Sequence, residues 1–152
     1  MGLKETLQSD LTEAIRSRDE VTSGTIRMVL TAITNEEVSG KEARTLTDAE
    51  IITVLSREAK KRREAAEAYK EAGHADRAEL ETNEGKVIAK YLPAQLSEDE
   101  VKKIVADAVA EAGASGPQDM GKVMKLVQPK TAGKADGGLV SGLVKAALSG
   151  GN

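Results

Sequence analysis

Apolar residues recur along this chain at helical spacing, and no run alternates apolar with polar residues as a half-buried strand requires. Leu3, Leu7, Leu11, Ala14 and Ile15 form the first stripe, which the polar stretch from Ser17 to Gly24 ends. Thr22 or Ser23 then caps a second expected helix carrying Ile26, Val29, Leu30 and Ile33, with Val38 and Gly40 near its end. Thr47-Asp48-Ala49-Glu50 is a capping box, in which hydroxyl and carboxylate satisfy each other's orphan amides, and it opens a third helix at Ile51, Ile52, Val54 and Leu55.

After Leu55 the pattern changes. As far as Ala78 there is no Leu, Ile, Val or Met, and the apolar positions are alanines plus Tyr69. Ala59 and Ala66, Ala65 and Ala72, and Ala68 and Ala75 recur at heptad spacing, which predicts a long, largely exposed helix that one neighbour can approach closely. Gly73 fits the position just past its end, and His74 to Asp76 turns the chain into a second arm. That arm carries a stripe at Leu80, Glu84, Val87, Ile88, Tyr91 and Leu92, and Pro93 stops it. Pro93 to Leu96 is the expected domain boundary.

Ser97-Glu98-Asp99-Glu100 is a second capping box, followed by Val101, Ile104, Val105, Ala108, Val109 and Ala112 and closed by Gly113. Ser115 or Gly116 caps the next helix, with Pro117 at its first position and Asp119 in its first turn. Met120, Val123, Met124 and Val127 make one stripe and Leu139, Val140, Leu143, Val144 and Ala147 another, with a break from Pro129 to Asp136. The expectation is an all-α protein: an amino-terminal helical domain over 1–92 with a long helical hairpin, and a small three-helix carboxy-terminal domain over 97–150.

Composition narrows what such a fold does. The 152 residues include no Phe, Trp or Cys and only two Tyr, so the core is aliphatic and there is no disulfide, thiolate metal site or redox cysteine. Lys4, Glu5 and Asp10 interrupt the amino terminus, so neither a signal peptide nor a membrane span is expected, and a cytoplasmic monomer fits. A net charge of −3 argues against a generic nucleic-acid binder. From Gly113 onward, however, Lys122, Lys125, Lys130, Lys134 and Lys145 against Asp119 and Asp136 leave a local charge of +3.

Three stretches suggest chemistry. The turn holding Lys130, Gly133, Lys134, Asp136, Gly137 and Gly138 opens into a helix N-terminus, where exposed amides and lysines favour a phosphate. The competing reading is that Gly137 and Gly138 let the helix approach Gly121, with Asp136 capping the amides itself. Lys60-Lys61-Arg62-Arg63 spreads over roughly 300° of a helix, so it forms no single basic face, and Glu58–Arg62, Lys60–Glu64 and Arg63–Glu67 pairs account for it. Glu71-Ala72-Gly73-His74 has the Glu-x-x-His spacing of di-metal bundles, but His74 is the single histidine, so no metal site is expected. The same scarcity leaves acyl transfer without a nucleophile and base, and nothing calls for catalytic residues or a cofactor.

The segments TIRMVLTAITNEE, LTDAEIITVLSREAKKRREAAEAYKEAGHADRAELE, KYLPAQLSEDEV and GKVMK…PKTAGKADGGLVSGLVK resemble the GatB/YqeY family, of the stand-alone YqeY type, over nearly the whole chain. The resemblance implies an α-helical protein whose carboxy-terminal domain is similar to the tail of the B subunit of the glutamine-dependent tRNA amidotransferase, a carbon-nitrogen ligase in which that tail contributes to tRNA recognition. It implies a non-catalytic, tRNA-associated accessory module, since no counterpart of the kinase-like cradle or the amidase chemistry is present. Lys122, Lys125, Lys130 and Lys134, with Gly133, Gly137 and Gly138, are the expected nucleic-acid-binding residues. The alternative is a protein-interaction module whose Ala-rich hairpin docks on an amidotransferase or an aminoacyl-tRNA synthetase.

Overall fold

The structure, a computed structural model, describes residues 2–150. Among these residues there are seven α-helices and no strand: α1 Leu3–Arg16, α2 Glu20–Glu37, α3 Asp48–Glu71, α4 Ala75–Ala89, α5 Glu98–Ala112, α6 Met120–Thr131 and α7 Gly137–Leu148. The fold is all-α. Its helices fall into two compact units, Met1–Leu92 and Pro93–Asn152.

In the first unit α1 to α4 surround Leu7, Ile26, Val29, Ile33, Leu46, Ile51, Val54, Leu55, Val87 and Ile88. The capping box starts α3 as its sequence indicates, with Thr47 Oγ1 accepting from the Glu50 amide and the Glu50 carboxylate accepting from the Thr47 amide. Gly73, at φ +81°, ends it: the amides of Gly73 and His74 fold back onto the carbonyls of Lys70 and Tyr69. The pattern misplaces two features here. Helix α2 begins at Glu20, because Asp19 rather than Thr22 or Ser23 is the cap, accepting from the Thr22 amide at 3.1 Å and its hydroxyl at 2.7 Å. Leu80, expected on the buried stripe of α4, is 47% exposed.

Charge also organises this unit. The Arg62 side chain is largely enclosed in the hairpin, 11% exposed, with its Nε 3.0 Å from Glu84 and 3.6 Å from Glu81 and Glu58 at 3.8 Å from its terminal nitrogen. Lys61, one residue away, stays exposed, so the basic run does not form one face. Glu37 is buried at the end of α2, where it accepts from Lys4 Nζ at 2.9 Å and the Leu46 amide at 3.1 Å. These bonds hold its carboxyl below the usual carboxylate range, that to Lys4 contributing most. They also pin the 38–47 loop to the helix end.

In the second unit the buried residues are Val101, Val105, Ala108, Val123, Val127, Val140, Val144 and Leu148. The capping box at Ser97 and Glu100 opens α5, and Gly113 at φ +62° ends it. A 3-10 turn at Pro117–Asp119 leads into α6, with Pro117 at its first position. The expected break at Pro129 does not occur there: α6 continues to Thr131 with Pro129 inside it. A proline in the last turn removes only one backbone bond, and the buried Thr131 rewards the extra residues.

Candidate nucleic-acid interface

Packing fixes where the lysines of the second unit point. Val123, Val127 and Thr131, four residues apart on α6, are buried, which turns Lys122, Lys125 and Lys130 to the exposed side. Lys122 is 72% exposed along its side chain, and its 4.0 Å approach to Asp119 is a weak, solvated pair. Lys134 is half-buried in the turn after α6. The structure therefore places the four expected lysines along one helix and the turn that follows it.

The amides of that turn are another matter. Those of Ala132, Lys134 and Ala135 donate to the carbonyls of Gln128 and Thr131, and that of Gly138 faces Asp136 Oδ1 at 3.4 Å. Asp136 caps α7, so the helix N-terminus presents a carboxylate where an anion would sit. Gly133 at φ +74° makes the reversal possible. Gly121 and Gly137 do not serve close packing either: a Cβ at either would meet nothing within 4 Å. The approach of Gly137 to Gly121 that the sequence allows is not formed, because the valines on the other faces make the helix contacts. With these amides occupied, the positive charge around this turn comes from lysine side chains.

One support has no signal in the sequence. Gln95 Nε2 donates to the Gly133 carbonyl at 2.9 Å and to the Pro93 carbonyl at 2.7 Å, while the Leu96 amide donates to the Lys134 carbonyl at 2.8 Å. The segment before α5 thus holds the lysine-bearing turn by two bonds from residues nearly forty positions away. No periodicity relates such partners.

Elsewhere the described residues hold no group of three or more His, Cys, Asp or Glu placed to bind a metal ion. No described helix is long and apolar enough to cross a membrane.

The model of a family described as Yqey-like protein matches residues 4–148. A Clavispora lusitaniae protein named altered inheritance of mitochondria protein 41, mitochondrial, is 30% identical over 104 residues, 67% of this chain and 59% of that protein. The chain therefore spans under two thirds of that relative's length. An uncharacterized protein of Schizosaccharomyces pombe is 27% identical over 96 residues, 63% of this chain and 76% of the relative.

Proposed function

The chain belongs to the YqeY-like protein family, and from that premise we propose that it is a non-catalytic, tRNA-associated accessory module similar to the tail of the amidotransferase B subunit. The observation that carries this reading is the lysine face of α6 and its following turn, set opposite a valine core and braced by Gln95 and Leu96. Lysines on a rigid frame suit phosphates, which they meet as point charges without reading the base sequence. Lys122, Lys125, Lys130 and Lys134 are the proposed contacts. Gly133 shapes the turn, Gly137 leaves the start of α7 uncrowded, and Gly138 donates its amide to Asp136.

The module acts as a monomer beside the translation machinery, in the cytoplasm, or in mitochondria if it shares the compartment named for the Clavispora relative. Titration with bulk tRNA at two salt concentrations tests the reading. Four phosphate contacts lose about 50- to 150-fold in affinity when salt rises fourfold, and Lys130→Ala/Lys134→Ala halves that dependence. Absence of binding at low salt, or an unchanged slope in the double variant, would overturn it.

A further inference from the structure

Every arginine, the single histidine and both tyrosines lie within residues 1–92, so lysine is the sole cationic side chain of 93–152 and no aromatic ring is present there. Three of these groups meet at the tip of the α3–α4 hairpin. The rings of Tyr69 and His74 stand edge to face, 6.3 Å apart at 82°, and the Arg77 guanidinium lies over the Tyr69 ring at 5.7 Å. Tyr69 is half-buried, whereas His74 and Arg77 are exposed. Although His74 occupies the cap position of α4, its side chain makes no cap hydrogen bond. Beside these groups opens a depression of about 340 Å³ lined by Gly73, His74, Ala75, Asp76 and Arg77.

Stability does not explain this tip. From Ser56 to Glu79 the hairpin contains no aliphatic side chain larger than alanine, and residues 71–77 are all exposed. A projecting arm that buries little yet gathers an imidazole, a guanidinium and a phenol at its end suits contact with something outside the chain.

We infer that this tip is a docking site for an unpaired nucleobase bearing an exocyclic amino group. His74 and Arg77 supply two flat, polarisable surfaces beside the depression, the kind on which bases stack whatever their sequence. Asp76, which lines the same depression, supplies an acceptor that matches the amino group of adenine, cytosine or guanine, whereas uracil carries no amino group and offers only its N3–H. The same carboxylate repels phosphate, so a nucleotide enters base first. A fully paired duplex keeps its bases stacked and has none to offer. Tyr69 is a positioning residue: Arg77 lies over its ring and His74 stands perpendicular to it. This contact goes beyond the lysine face and uses none of its residues.

His74 is the sole histidine, so its imidazole proton resonances report this tip alone. The full chain is titrated at fixed pH with oligoadenylate, oligouridylate and a blunt RNA duplex of equal length. Oligoadenylate is expected to shift the His74 signals saturably, oligouridylate to bind at least tenfold more weakly, and the duplex to leave them in place. Arg77→Lys, which keeps charge but loses the plane, weakens oligoadenylate about tenfold, and Tyr69→Phe retains it. Lys130→Ala/Lys134→Ala leaves the His74 titration unchanged while lowering tRNA affinity. The inference is overturned if oligoadenylate does not move His74, if the duplex moves it equally, or if Arg77→Lys binds like the parent. A tRNA complex that forms through the lysines without moving His74 sinks the tip alone. A His74 response without salt-dependent tRNA binding sinks the lysine face alone.

Discussion

The two units solve the same problem, packing helices without Phe or Trp, in opposite ways. Unit 2 separates its chemistry: valines inside, lysines outside, with Val123, Val127 and Val144 wholly excluded from water. Unit 1 mixes it, enclosing Arg62 among three carboxylates and Glu37 between Lys4 and the Leu46 amide. Valine is a mediocre helix former, so packing more than propensity holds the helices of unit 2. Unit 1 depends on partners that must be ionised and in register. Its structure is therefore sensitive to charge, and that of unit 2 to shape.

Removing the guanidinium tests this contrast most severely. Arg62→Met keeps the volume but leaves Glu58, Glu81 and Glu84 crowded and uncompensated, and is expected to destabilise unit 1 by about 2–4 kcal/mol in urea unfolding. Adding Glu81→Gln and Glu84→Gln should recover most of that loss; if it does not, packing of the side-chain stem is the real contribution of Arg62. In unit 2 the corresponding probe is Val127→Ala. It removes two buried methyl groups and gains some helix propensity, for a net loss of about 1–2 kcal/mol seen as a lower urea midpoint.

A smaller effect, of opposite sign, is expected at Arg18, whose φ of +60° closes α1 in the position usually given to glycine. Its amide and that of Asp19 bond the carbonyls of Ile15 and Ala14, so the geometry is fixed by the turn and not by the side chain. Arg18→Gly should stabilise unit 1 by up to about 1 kcal/mol, read as a rise in thermal midpoint.

The mildest challenge is acid. Asp19, Glu37 and Glu50 in unit 1 and Glu100 in unit 2 all titrate below their ordinary values, chiefly because Thr22, Lys4, the Thr47 amide and the Ser97 amide respectively bond their charged forms. Depressed carboxylates stabilise fully above the unfolded value near 4 and lose that contribution as pH falls through the folded value. Between pH 5 and 3, amide signals of unit 1 should therefore weaken before those of unit 2. Simultaneous loss would contradict the difference in design.

How much of this was legible in the sequence depended on the range of the interaction. Both capping boxes, the reversals at Gly73 and Gly113 and the valine stripes of α5 to α7 are set within a few residues, and their residue types announce them. Asp19 carries no clear signal as a cap, because Arg18, not a glycine, makes the turn before it. Leu80 lies outside the core although it continues the stripe, because periodicity does not tell a core-facing stripe from one that extends past the core. Pro129 has the residue type of a breaker, although one lost bond in a last turn is tolerable. At the lysine site the residue types were legible, but the spent amides and the bonds from Gln95 and Leu96 were not, since they depend on contacts made only after folding.

Those last two bonds have a consequence for dissecting the chain. They close a ring around α5 and α6, a loop of about 38 residues whose closure costs roughly 3 kcal/mol of chain entropy. A fragment begun at the Ser97 capping box would keep every helix of unit 2 yet never close that ring, and the carbonyls of Gly133 and Lys134 would be left to water. The shortest piece that preserves the lysine turn begins at Pro93, five residues before the first helix it contains.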